Sequence, residues 1–221
     1  MKHLSILLIL LVAGSLKSAA QENLTLYFEP EISVGYQVTS GYTHSFDIEN
    51  RNFLYKESAY DYTIKHIEIA HTSTYQLKEN QFLGFGIQYR FQEDFDASNE
   101  NEFRLIQEFA WKTQKPQIEI AQAIKNEQRF YASTTKYRGR YEIGLKFPIK
   151  DNANYILAET ETLFELANDQ KPEFEQRLGG VFGWQWDSST NLEMGFQYRL
   201  ADYTQDLGHE LFFVLGLDIS L

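Results

Sequence analysis

The pair of residues placed to do covalent chemistry is His71 and Ser73, in the run His71-Thr72-Ser73. Residues two apart on an extended strand share a face. An imidazole there could take the proton of the serine hydroxyl and ready it to attack an acyl ester. The same two residues also read as an ordinary polar pair at a strand end, since the Lys78-Glu79-Asn80 turn follows closely. His44, His66 and His209 fall on separate segments and no His-Glu-x-x-His spacing occurs, so spacing alone supplies no metal ligand set. The chain has no cysteine, which removes thiolate chemistry, disulfides and a cysteine-borne lipid anchor. The glycines form no phosphate loop, and a formal charge of −11 without a basic patch argues against nucleic acid as a partner. No cofactor and no catalytic activity are expected.

A second set of chemically capable residues is larger. Glu127, Arg129, Arg138, Arg140, Glu142, Glu159, Glu161, Glu175, Arg177, Arg199 and Glu210 each alternate with apolar neighbours. Tyr137, Tyr141, Ile143, Leu145 and Phe147, for example, oppose Arg138, Arg140 and Glu142. If the apolar faces of the strands point outward, all eleven of these charged groups line an interior. There they would either pair into a plug that braces the protein or leave a narrow charged path for a small solute. The glycines on the same faces, among them Gly84, Gly179 and Gly195, would relieve crowding and let a sheet curve.

The elements that must position these residues repeat one pattern. In the last stretch, Leu211, Phe213, Leu215, Leu217, Ile219 and Leu221 fall on one face, and Glu210, Gly216, Asp218 and Ser220 on the other. Leu83, Phe85, Ile87, Tyr89 and Phe91 alternate with Gly84, Gly86, Gln88, Arg90 and Gln92. Leu192, Met194, Phe196, Tyr198 and Leu200 alternate with Glu193, Gly195, Gln197 and Arg199. About eleven such segments follow one another, most of roughly 11 to 15 residues, longer than the usual strand of a soluble sheet. Tight turns and longer polar links separate them, and Trp111, Trp184 and Trp186 lie near proposed tight turns, where an aromatic girdle would stand. Aromatic residues make up 15% of the chain, with only four prolines, which suits a β-rich fold. Both ends on one side of a membrane would demand an even count, so Pro30 is expected to split the first segment, giving about 12 strands, or that segment stands outside the wall, giving 10.

Residues 1–20 have the form of a cleaved signal peptide, with Lys2 and His3, an apolar run over residues 4–12, and Ser18, Ala19 and Ala20 before the cut. Past them no apolar run is long enough for a membrane helix, so a membrane-inserted form must be a closed barrel. The segments Glu127-Gln128-Arg129-Phe130 and Tyr137-Arg138-Gly139-Arg140-Tyr141-Glu142, with Glu159 and Gln176-Arg177-Leu178-Gly179, resemble an uncharacterised outer-membrane β-barrel family common in Bacteroidota, a domain of unknown function. The likeness covers the C-terminal half well and the N-terminal half loosely, and implies fold and location without a catalytic residue. His71 and Ser73 are similar to the His and Ser of outer-membrane phospholipases and lipid A deacylases, although Thr74 stands where those families place Asn.

The expectation is therefore an all-β, antiparallel up-and-down transmembrane barrel over residues 21–221, in the outer membrane of a Gram-negative cell. Its partners would be outer-membrane lipid and the barrel-insertion machinery, and its role structural or a narrow passage for small solutes. The alternatives are a lipid hydrolase using His71 and Ser73, and a soluble secreted barrel whose apolar faces turn inward around an apolar ligand.

Overall fold

A computed structural model describes residues 24–149, 154–168 and 170–221 of the chain. The expected signal segment, residues 1–20, and the turn expected at residues 150–153 lie outside the described residues. The strands are β1 (Leu24–Thr39), β2 (Tyr42–Lys56), β3 (Ala59–Lys78), β4 (Gln81–Phe91), β5 (Glu102–Lys115), β6 (Ile118–Phe130), β7 (Thr135–Ile149), β8 (Asn154–Ala167), β9 (Glu173–Gln185), β10 (Thr190–Ala201) and β11 (Gly208–Ser220). Together they form one closed barrel, and the described residues include no helix.

Sequential neighbours pair antiparallel, and the barrel closes through β1 and β11, which run parallel from Leu24↔His209 to Gly35↔Ser220. This corrects two expectations: the sheet is mixed rather than wholly antiparallel, and the count is eleven rather than 12 or 10. Pro30 does not split β1. The register with β2 is the same on both sides of it, Phe28↔Asn52 and Glu31↔Glu49, with pairing interrupted at Glu29 and Pro30 between them. Proline has no N–H to give to a ladder, and here the ladder simply lacks that rung.

At one rim the connections are tight: residues 40–41, 79–80 and 116–117. Gly41 has φ +95°, a conformation in which an L side chain is strained. At the opposite rim stand the longer links, residues 92–101, 131–134 and 202–207. There too β3 runs past its neighbour, since its pairing with β4 starts only at Ile67↔Phe91. The β2–β3 hairpin thus projects beyond that edge, turning through Glu57 and Ser58, both at positive φ, with Tyr60 and Tyr62 exposed. Positive φ at both central residues is the two-residue turn whose twist suits a hairpin.

The wall has opposite polarity on its two sides. Ile48, Phe46, Phe85, Ile87, Phe196 and Met194 stand about half exposed on the outside, whereas Glu102, Glu127, Arg129, Arg199 and Glu165 are buried. This follows from a side-chain period of two along strands that curve round an axis. Aromatic side chains pair across the outer wall, Phe196 with Phe213 at 5.5 Å and Phe28 with Phe213 at 5.7 Å between ring centres. Such cross-strand pairs contribute roughly 0.2–1 kcal/mol each. Gly195 permits a close approach of β10 to β9: a Cβ there would collide with the Gly180 carbonyl and lie 2.8 Å from the Val181 Cα.

Candidate functional site

The interior is built from residues of one parity on each strand, two apart in Glu102 and Arg104 on β5, Glu127 and Arg129 on β6, Arg138 and Arg140 on β7, and Glu175 and Arg177 on β9, and four apart in Glu161 and Glu165 on β8. Register sets opposite charges beside one another, with Arg90 facing both Glu68 and Glu102, Glu127 facing Arg138, Arg138 facing Glu165, and Glu161 facing Arg177. It also sets Arg104 opposite Arg129, an arrangement that holds only because both reach Glu102.

Glu102 is the hub. Its carboxylate accepts hydrogen bonds from Arg104 at 2.8 Å, from Arg129 at 2.6 and 2.7 Å and from the Tyr131 hydroxyl at 2.9 Å, with Arg90 at 3.3 Å. Burial raises the Tyr131 hydroxyl above its ordinary pKa, so it remains a donor. Glu165 takes Arg129, Arg138 at 2.6 Å and Lys136 at 2.9 Å. Glu127 takes Arg140 at 2.7 Å, with Arg104 and Arg138 at 3.8 and 3.9 Å. Glu161 joins Arg140 to Arg177, and Arg177 also holds Glu175 at 2.5 Å. In the other direction the chain of pairs passes from Glu102 through Arg90, Glu68, His66, Glu49 and Arg51 to Glu29, then across to Arg199 at 3.3 Å. Each of β1 to β10 contributes a member. On β11 the belt is carried by Phe212, fully buried, with the Arg199 guanidinium 3.7 Å and the Arg51 guanidinium 4.9 Å from its ring centre.

Glu127, Arg129, Arg138, Arg140, Glu175, Arg177, Arg199 and Glu210 border a cavity of about 460 Å3, and Glu142, Glu159 and Glu161 a smaller one of about 90 Å3. Glu29, Arg51, Glu68, Arg90, Glu102 and Arg104 belong to the same belt and were not in the predicted set. Their signal was the same alternation on the first five strands. Phe212 and Tyr27, which stack at 4.6 Å inside the barrel, carry no charge to reveal them, only their parity along the strand. An interior lined this way rules out an apolar ligand held by inward-facing apolar side chains.

On the tight-turn side of the belt the cavity is lined by Glu31, Asp47, Glu108, Thr72, Gly84 and Lys125. Tyr155 crosses the interior there, its hydroxyl bonded to Glu193 and its ring 3.6 Å from the Lys146 ammonium. A Cβ at Gly183 would fall inside that ring, so glycine is what lets the tyrosine lie down. Chemically, the belt offers paired guanidinium and carboxylate groups, which cross-link the wall and narrow the path between its ends.

His71 and Ser73 share the outer face of β3, as the spacing implies, and the fold adds a third member. His44 on β2 lies opposite Ser73, and its Nδ1 is 3.0 Å from Ser73 Oγ and 2.9 Å from His71 Nε2. The Tyr42 hydroxyl donates to Ser73 Oγ at 3.4 Å. His209, by contrast, pairs with Tyr198 at 2.5 Å on another part of the wall.

Residues 25–208 match the model of a family described as protein of unknown function (DUF2490). The chain belongs to this family. No curated protein matches it. The match takes in both halves of the sequence, well beyond the C-terminal segments that carried the earlier likeness, and spans every strand from β1 to β10. Membership of DUF2490 thus attaches to the charged interior, belt included, and brings no assigned activity.

Proposed function

We propose that this chain is an outer-membrane β-barrel of a Gram-negative, Bacteroidota-type cell, exported through the signal segment at residues 1–20, with an interior braced and closed to solutes by its ion-paired belt. The observation that carries this reading is the inverted polarity: Glu102 and Glu127 are each 1% exposed while Phe196 and Ile48 are 58% and 53% exposed. In water such a wall would leave an apolar surface far beyond the few hundred Å2 that soluble monomers show. In hydrocarbon the same wall is favourable, at about 25 cal/mol per Å2 removed from water, and closure leaves the sheet no unpaired edge strand. Strands of 13 residues, as in β6, β9 and β11, tilted as barrels require, give a height of roughly 30 Å, the thickness of a bilayer core. Trp184 and Trp186, 5.3 Å apart beside the tight-turn rim, suit an interfacial girdle there, with that rim toward the periplasm. The work is structural, with outer-membrane lipid around the barrel and the insertion machinery as the partner that places it. Recovery in the outer-membrane fraction, a heat-dependent gel shift and silence in planar bilayers are the expected results. A soluble, periplasmic wild-type protein would defeat the reading.

The approach of His44 to Ser73 favours a second reading, hydrolysis of a lipid acyl ester on the outer wall. Ser73 Oγ would attack the ester carbonyl as His44 Nδ1 takes its proton, the imidazolium would return that proton to the lipid alkoxide leaving as the ester C–O bond breaks, and water would then hydrolyse the acyl-serine to free fatty acid and restore the serine hydroxyl. Fatty-acid release from phospholipid vesicles by the wild type, abolished in Ser73→Ala, would support it. Equal release by the two, or none by either, would end it.

A further inference from the structure

The His66 side chain is buried in the belt region without being satisfied. It is 1% exposed, and neither ring nitrogen has a hydrogen-bond partner. Leaving such a group unpaired is unfavourable, because its lost hydration is not replaced. Its Nε2 is nevertheless aimed at two carboxylates, 3.2 Å from Glu68 Oε1 and 3.6 Å from Glu49 Oε1, out of line for a hydrogen bond to either. The register produces this cluster. His66 and Glu68 are two apart on β3, and Glu49 lies opposite Glu68 on β2, so two like charges face each other beside an imidazole. One ligand atom from each residue lies within 4.8 Å of the others. A tetrahedral ion with bonds of about 2.1 Å holds its ligand atoms roughly 3.4 Å apart, between the two distances observed.

We propose that Glu49, His66 and Glu68 bind one divalent transition-metal ion of the zinc class inside the barrel. An ion there would neutralise the opposed carboxylates and give the imidazole a partner. The neighbouring arginines are not stranded by it, because Arg51 keeps Glu29 and Arg90 keeps Glu102 at 3.3 Å. Glu49 and Glu68 both border the 460 Å3 cavity, which supplies water for the remaining coordination position and a way in. One imidazole with two carboxylate oxygens suits zinc over magnesium or calcium, which take oxygen ligands alone.

The test uses the folded full-length barrel in detergent, stripped with a chelator and titrated with zinc, then magnesium, by calorimetry and equilibrium dialysis. One zinc per barrel is expected, with magnesium at least a hundredfold weaker. His66→Gln should weaken zinc at least a hundredfold, and Glu49→Gln at least tenfold, while each still shows the heat-dependent gel shift. Should His66→Gln fail to fold, Glu49→Gln decides, because Glu49 is at the cavity edge and only secondarily paired to Arg51 at 3.3 Å. His71→Ala, which removes the outer imidazole pair, should leave zinc binding unchanged. The proposal is overturned by a folded wild type that binds no zinc, by magnesium binding as tightly, by Glu49→Gln binding as tightly as wild type, or by loss of the ion in His71→Ala.

Discussion

Replacing Glu102 by glutamine should destabilise the barrel by about 3–5 kcal/mol, the cost of breaking a buried ion pair. The side chain is 0% exposed and faces three guanidiniums and the Tyr131 hydroxyl. An amide of the same shape removes the charge and turns N–H groups toward donors. The loss is not three times that of one pair, because Arg90 retains Glu68 and Arg129 retains Glu165. The stranded cation is Arg104, left with Gln88 at 3.1 Å and Glu127 at 3.8 Å. Removing that cation as well, in Glu102→Gln/Arg104→Gln, should therefore restore about 1–2 kcal/mol through the coupling of neighbours. Urea unfolding in lipid vesicles, followed by fluorescence of Trp111, Trp184 and Trp186 and by gel mobility, measures both. By the scaling for chains of this size the thermal midpoint of the single variant should fall by on the order of 10 °C. A single variant within about 0.5 kcal/mol of wild type, or a double variant that loses more than the single, would refute the view that the belt braces the wall.

Charge reversal of Arg138 and Arg140 to glutamate should abolish folding, since both guanidiniums face Glu127 and one of Glu161 or Glu165; a folded variant that conducts ions with altered selectivity would instead make the interior a solute path. Phe213→Arg, at mid-height on the outer wall, should cost about 2–4 kcal/mol in vesicles, whereas Tyr60→Arg on the projecting hairpin should stay within about 0.5 kcal/mol, both read by urea titration. Gly195→Val should prevent the heat-modifiable form because its Cβ meets β9 backbone, while Gly180→Ala, with nothing within 4 Å of the added methyl, should fold as wild type.

Much of this architecture could be read from alternation. The period of two on β4, β7, β10 and β11 assigns each residue to one side of the wall, and the belt follows from that once the wall is curved. What alternation does not carry is which strands meet far along the chain. The β1–β11 seam joins residues such as Phe28 and Phe213, and nothing local to either end announces that they run in the same direction. Pro30 looked like a boundary because its missing N–H usually ends a ladder, yet a barrel strand tolerates one absent rung when its other edge stays paired, as Pro30↔Leu215 does. The outer histidines met for the same reason: His44 reaches Ser73 and His71 only through the β2–β3 register. The zinc-class site was hidden because Glu49 and His66 sit on different strands, one of them carrying an extra residue at the register shift between Arg51 and Asn52.

The parallel seam limits how such a wall could be rewired. Ser220 and Leu24 stand at opposite rims, so tying them together requires a tether that traverses roughly 40 Å. A circular permutant with the two-to-four-residue joint that suffices for a hairpin would not close. Duplicating or deleting whole hairpins changes the size of the barrel but never its parity, so an odd wall of this kind and an even one are separated by the gain or loss of a single strand.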